Sequence, residues 1–230
     1  MAIGVSLLDS GTSTTTASLD FSPIKLYTIV VSSLNSSSLT ANLSISGGGL
    51  TWVKEYEIGI AHPSVPTVVT TLAVFSAYDT GATGTLSISG ASSTCYIVAQ
   101  IDSATEIIQI THSSGTGTTY SVTLNAFLGT NNGAFGAFAS IGTTVNVTPG
   151  SGFTELIEVD QVGTQTLELE YKKTSDTSVD ATAGSSSWVG IAFETDFVRT
   201  VYGSKELMPP AHQTLLIPSR RIISPSSRRP

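Results

Sequence analysis

Between residues 25 and 194 the chain alternates apolar or β-branched residues with hydroxyl and small ones at a period of two. No apolar stripe keeps the 3.6-residue period of a helix beyond two turns. That pattern admits strands and little else. Residues 25–34 (KLYTIVVSSL) begin a strong strand, and residues 39–46 (LTANLSIS) place Leu39, Ala41, Leu43 and Ile45 on one face. Gly47-Gly48-Gly49 then forces a turn, because glycine alone takes positive φ without steric cost. In residues 50–58 the period predicts Leu50, Trp52, Tyr56 and Ile58 on one face and Glu55 and Glu57 on the other. Residues 67–78, the longest near-continuous apolar run, predict a central strand; residues 84–89, 95–102 and 120–127 continue the series. Asn131-Asn132-Gly133 marks a turn, residues 153–159 and 167–173 predict a hairpin around Gln161-Val162-Gly163, and residues 188–194 a last core strand. Residues 103–108 allow one helical turn at most, and residues 174–187 read as a loop.

Composition narrows the classes further. Ser (34) and Thr (33) crowd out the Glu, Lys and Leu that a helical bundle needs, while 40% hydrophobic residues and only 12% charged ones argue against disorder. A single cysteine, Cys95, excludes a disulfide scaffold. No run of 18 apolar residues suggests a membrane span, and residues 1–10 lack a leader pattern, so synthesis in a cytoplasm is expected. The pentapeptide LSISG occurs at Leu43 and at Leu86, and in so biased a composition it signals local strand similarity rather than a domain duplication.

Charge divides the chain in two. Residues 1–197 hold 16 acids against Lys25, Lys54, Lys172 and Lys173, whereas residues 198–230 hold six bases against Glu206 alone. The expected fold is therefore all-β, an antiparallel two-sheet sandwich of jelly-roll type over residues 1–197, followed by an extended basic, proline-rich arm over residues 198–230. Leu215, Leu216, Ile217, Ile222 and Ile223 lie among the prolines of that arm as anchors for another surface. Arg220, Arg221, Arg228 and Arg229 are placed to pair with carboxylates there. Four arginines without interleaved aromatics make a poor nucleic-acid signature, and nucleic acid is not an expected partner.

Candidate chemistry reduces to structure at each place. Asp79-Thr80-Gly81 after an apolar strand has the look of an aspartic protease motif, but that chemistry needs two carboxylates sharing a proton and the chain has one copy; a hairpin turn between two strands is the expectation. His62, His112 and His212 have no metal-ligand spacing, and there is no Gly-x-Ser-x-Gly elbow or phosphate-binding loop. The pairs Glu55/Glu57, Glu155/Glu158 and Glu168/Glu170 are expected on solvated sheet faces, and Asp176 and Asp180 lack the spacing of a calcium loop. Cys95 is expected in the core. Trp188 and Trp52 fit core positions too, while Trp52 and Tyr56 are the residues that would stack on a sugar. No catalytic, cofactor or metal residue is expected.

Leu50-Thr51-Trp52, the aromatic-rich strand at 74–78, the GTLSISG strand at 84–90 and the Trp-containing strand at 188–194 form a succession that resembles Ser/Thr/Gly-rich β-sandwich virion proteins of tailed bacteriophages. The resemblance implies a non-enzymatic virion component: a capsid decoration (cement) or head-fibre protein, homo-oligomeric and often trimeric, with the major capsid protein or another virion protein as partner. The arm is not part of that resemblance. A second reading, from a different class, is a receptor- or carbohydrate-binding module of a phage tail appendage or a cell surface.

Overall fold

The computed structural model describes residues 3–35, 42–62, 65–79 and 81–198; residues 199–230, with every anchor and arginine assigned to the arm, lie outside the described residues, as does His212. The described residues contain strands and no helix. The first half of the chain supplies β1 (Gly4–Gly11), β2 (Leu19–Phe21), β3 (Lys25–Asn35), β4 (Ser44–Gly47), β5 (Val53–His62), β6 (Val65–Asp79), β7 (Ala82–Gly84), β8 (Leu86–Ser89) and β9 (Ser93–Asp102). The second supplies β10 (Ile107–Thr123), β11 (Gly133–Ile141), β12 (Val147–Pro149), β13 (Thr154–Gln161), β14 (Gln165–Lys172) and β15 (Ser178–Thr195). Every pairing is antiparallel.

The two halves repeat one plan. The first builds a five-stranded sheet in the order β1-β9-β3-β6-β5, and the second builds β10-β15-β11-β14-β13. Matching β1, β3, β5, β6 and β9 with β10, β11, β13, β14 and β15 in turn makes the two orders identical. The correspondence extends to side chains: the row Val5, Ile101, Leu26, Tyr78 in the first sheet matches Ile110, Phe193, Phe135, Tyr171 in the second. Each sheet also carries an outer layer. In the first half this layer is made of the pairs β2-β7 and β4-β8, with a bridge from Thr15 to Ser87. In the second, β12 and the far end of β10 flank residues 178–183 of β15 in the same arrangement.

Three apolar cores result. One lies between the two large sheets, where Leu26, Val30, Ile97 and Ile101 meet Phe135, Leu169, Ile191 and Phe193. Phe135 and Phe193 stack with centroids 4.9 Å apart, an arrangement that adds about 0.5–1.5 kcal/mol to plain burial. The other two fill the space between each sheet and its own outer layer: Phe21, Tyr27, Leu86 and Tyr96 in the first half, Tyr120, Phe138, Val179 and Trp188 in the second. The sheets face one another in reversed order, β5 against β10 and β1 against β13, so an approximate two-fold axis relates the halves. The arrangement has four sheets where two were expected. Inner strands covered on both faces explain the continuous apolar runs of β3, β6, β9 and β11.

Local details follow from the sequence. Gly47, Gly48 and Gly49 all take positive φ, and a Cβ on Gly47 would overlap the Thr85 carbonyl oxygen. The two LSISG copies are hydrogen-bonded partners, Ser44 opposite Ser89 through Gly47 opposite Leu86, and both belong to the first half; the duplication runs on a different offset. Leu50 and Trp52 do not share a face with Tyr56 and Ile58 as expected. A bulge at Glu55 inverts the period, so the first two pack in the first half's own core and the last two against the core between the sheets. The expected loop 174–187 is largely strand: β15 begins at Ser178 and runs through two layers.

Candidate functional site

β1 and β3 both run antiparallel to β9, so they start at one end of the molecule. Ile3, just ahead of β1, lies against Gly133 at the start of β11, which puts β11's start at that end too. The links β2–β3, β6–β7, β10–β11 and β14–β15 therefore gather at a single loop end. Two clefts open there at matched positions in the halves. One, of about 460 Å³, is lined by Asp20, Ser22, Pro23, Gly81 and Thr83; the other, of about 480 Å³, by Phe127, Gly129, Thr130, Ser175 and Asp176.

Each cleft has a large apolar side chain standing beside it in solvent: Ile24, 63% exposed, and Leu128, 83% exposed. Tyr78, 46% exposed, lies at the same end. Ile24 also has φ of 63°, a conformation that a β-branched residue adopts at a cost of about 1–3 kcal/mol. Both loops are anchored from below. The buried Tyr27 hydroxyl donates to the Ser22 carbonyl at 2.8 Å. The buried Glu194 carboxylate accepts from the Leu128 N–H at 3.3 Å and from Asn132 Nδ2 at 2.6 Å. Asp196 accepts from the Thr105 and Glu106 N–H groups at 2.7 and 3.0 Å and fixes the approach to β10. The exposed side chains are thus held in place on rigid supports.

A second cluster is internal. Glu168 and Glu170 are buried, against the expectation of a solvated face. β12 and its flanking loop cover that face of β14, so residues alternating with Leu167 and Leu169 have no solvent side. The register sets Glu158 opposite Glu168 and Glu155 opposite Glu170. Glu170 accepts the Gly150 N–H at 3.1 Å and Glu158 the Val147 N–H at 2.6 Å, while both Glu168 oxygens are buried without a partner. Burial pushes Glu170 up to about 8, with the Gly150 N–H opposing and Asp180 adding to the rise. Burial first, then the Glu170, Glu155 and Glu158 charges, hold Glu168 well above the usual carboxylate range. Among the described residues no three His, Cys, Asp or Glu side chains converge to hold a metal ion. Burial thus favours the protonated form of Glu168 and Glu170, and neither carboxyl lines a loop-end cleft.

The residues singled out in the sequence scatter. Trp52 packs in the first half's own core beside Phe21, centroids 6.5 Å apart. Tyr56 stacks on His112 at 4.9 Å across the seam between the halves. Asp79 ends β6 opposite Lys25, Thr80 lies outside the described residues, and Gly81 at φ 105° leads into β7; since β7 pairs with β2, this is a passage between layers rather than a hairpin. Glu57 pairs with Lys54 at 2.5 Å, and Glu55 accepts the Ser76 hydroxyl, so both are engaged rather than solvated. Asp176 pairs with Lys172 at 2.6 Å and Asp180 sits in β15. Cys95 is buried between the sheets, where burial pushes its thiol up to about 12. Ile24 and Leu128 drew no attention in the sequence. Their signals, an Ile after Ser22-Pro23 and a Leu before Gly129, are those of ordinary turns.

No protein-family model, curated protein or solved structure matches this chain.

Proposed function

We propose that this chain is a non-enzymatic structural protein of a tailed-phage virion, a capsid decoration or cement protein that self-associates and docks through residues 198–230 onto the major capsid protein or neighbouring copies. Each half reads as a jelly roll. The first strand of each half leads on into the outer layer, β3 and β11 pair with the last strand of their halves in the inner sheets, and the outer layer is threaded between inner strands. The whole is two such rolls, back to back.

The observation that carries this reading is the duplicated strand order with a continuous core between the copies. It makes a rigid, thick-walled body whose loops at one end hold apolar side chains in solvent. Jelly rolls serve in viral capsids and in lectins, and architecture alone does not choose between them. The rings proposed for sugar stacking, Trp52 and Tyr56, are packed against Phe21 and His112, which favours the structural reading.

The test is composition of purified particles. Mass spectrometry is expected to find the chain in them at a copy number commensurate with the major capsid protein. Its absence from particles that are otherwise complete overturns the proposal.

A further inference from the structure

We infer that the loop end bearing Ile24 and Leu128 is the docking surface for residues 199–230 of a second copy of this chain. The inference rests on the reading of that segment as a docking element and names its receptor.

Three observations lead there. The first is the surface itself: two large apolar side chains, 63% and 83% exposed, each beside a cleft of nearly the same volume, in corresponding links of a duplicated fold though not at matching residues. Loops pinned by Tyr27 and Glu194 do not withdraw these side chains, so a partner must cover them if they are to leave water. The second is charge. Asp20 stands in one cleft and Asp176, already paired with Lys172, in the other, on a body with 16 acids and four bases through residue 197. Residues 199–230 bring six bases against one acid, and intersperse them with Leu215, Leu216, Ile217, Ile222 and Ile223. Apolar contacts at the tips and guanidinium–carboxylate pairs in the clefts match that order of residues.

The third is length. The described residues stop at Val198 and 32 more follow. Extended at about 3.3 Å per residue they reach about 100 Å, several times the radius of gyration of about 16 Å expected for a 200-residue body. Such a segment spans to a neighbour with residues to spare. One segment and two receptors per chain mean that at most half of the receptors are filled, each copy holding one neighbour on average and offering it either cleft.

The full-length chain, mixed in equal parts as ¹⁴N and ¹⁵N protein, is treated with a carbodiimide and read by mass spectrometry. Sedimentation velocity on the same chain measures self-association. Mixed-isotope cross-links from Lys205 to Asp20 or Asp176 are expected. The double variant Ile24→Ser/Leu128→Ser is expected to self-associate at least about tenfold more weakly with its β circular dichroism intact. If that variant loses its spectrum, Leu128→Thr alone takes its place. Undiminished association of the folded variant overturns the inference, as do cross-links confined to like-isotope pairs. A monomeric chain that still binds purified capsids overturns it and leaves the virion reading standing. Association through these loops by a chain absent from particles keeps it and overturns that reading.

Discussion

Ser32 on β3 donates a 2.6 Å hydrogen bond to the side-chain carbonyl of Gln165 on β14, with both residues fully buried where the two halves meet. The Gln165 amide in turn donates to the Ser93 carbonyl at 3.1 Å. This polar latch sits at the margin of an apolar seam and fixes which strand of one half meets which strand of the other. Gln165→Leu leaves the Ser32 hydroxyl buried and unpartnered, and is expected to cost about 1–3 kcal/mol by urea denaturation. The double variant Ser32→Ala/Gln165→Leu should lose less than the sum of the two single losses, because each single change already breaks the same bond. Additive losses would place the stabilisation elsewhere.

The buried carboxyl pair gives the protein a pH dependence of known sign. Unfolded, Glu168 and Glu170 titrate near the ordinary value of 4.5; folded, Glu170 titrates at about 8 and Glu168 well above 4.5. Across that window the native chain holds protons that the unfolded chain has released. The stability these groups contribute is complete below about pH 4.5 and is lost as pH rises through their folded values. Thermal melts between pH 5 and 8.5 should show a falling Tm from this pair. Glu168→Gln and Glu170→Gln imitate the protonated state and flatten the profile; both raise stability at pH 8, Glu170→Gln by an amount on the order of 2–4 kcal/mol. A profile equally steep in both variants would assign the dependence to other groups.

Much of the fold was legible and one part was not, for a reason that these glutamates illustrate. Leu167-Glu168-Leu169-Glu170 alternates like a strand with one wet face, and the strand and its hairpin partner were both found. What covers the second face is β12, a short strand about twenty residues upstream, and nothing in the local period announces a cover. The duplication was hidden likewise. Equivalent positions hold Val5 and Ile110, Leu26 and Phe135, Ile101 and Phe193, which share apolar character but not identity. The visible repeat, LSISG, marks two partners in one small sheet. Bulges are similarly silent: Glu55 inverts the face of everything after it without a glycine or proline to mark the place. Of the loop-end site only the turns were readable, since exposure of Ile24 and Leu128 depends on how the halves are anchored.

The Gly47 turn offers a local test. With φ at 97° and the Thr85 carbonyl oxygen where a Cβ would stand, Gly47→Ala combines backbone strain with a clash against main chain. A loss of about 2–4 kcal/mol in denaturant melts is expected. A near-neutral effect would mean that the β4–β8 pair relaxes freely and contributes little to the first half's core.

Cys95 should be inert in the native state. It is fully buried between the sheets and its thiol is pushed up to about 12, so almost no thiolate exists at neutral pH and no reagent reaches it. Reaction with Ellman's reagent is expected only at the rate of unfolding, rising with denaturant in step with loss of β signal. Rapid labelling without denaturant would reveal opening of the seam between the halves.

Ile24 separates stability from docking. At φ 63° its branched side chain strains the backbone, and at 63% exposure it gains little burial in return. Glycine adopts that φ freely and gives up little burial, so Ile24→Gly should raise stability by about 1 kcal/mol, net of the entropy glycine adds to the unfolded chain. The same change deletes one of the two apolar contacts offered at the loop end. The expected result is a protein that melts higher yet self-associates more weakly in sedimentation velocity, the pattern of a residue kept for contact at the expense of the fold. A variant that melts higher and associates as before would show Ile24 to be strained without purpose, and would leave Leu128 and its cleft to hold the partner alone.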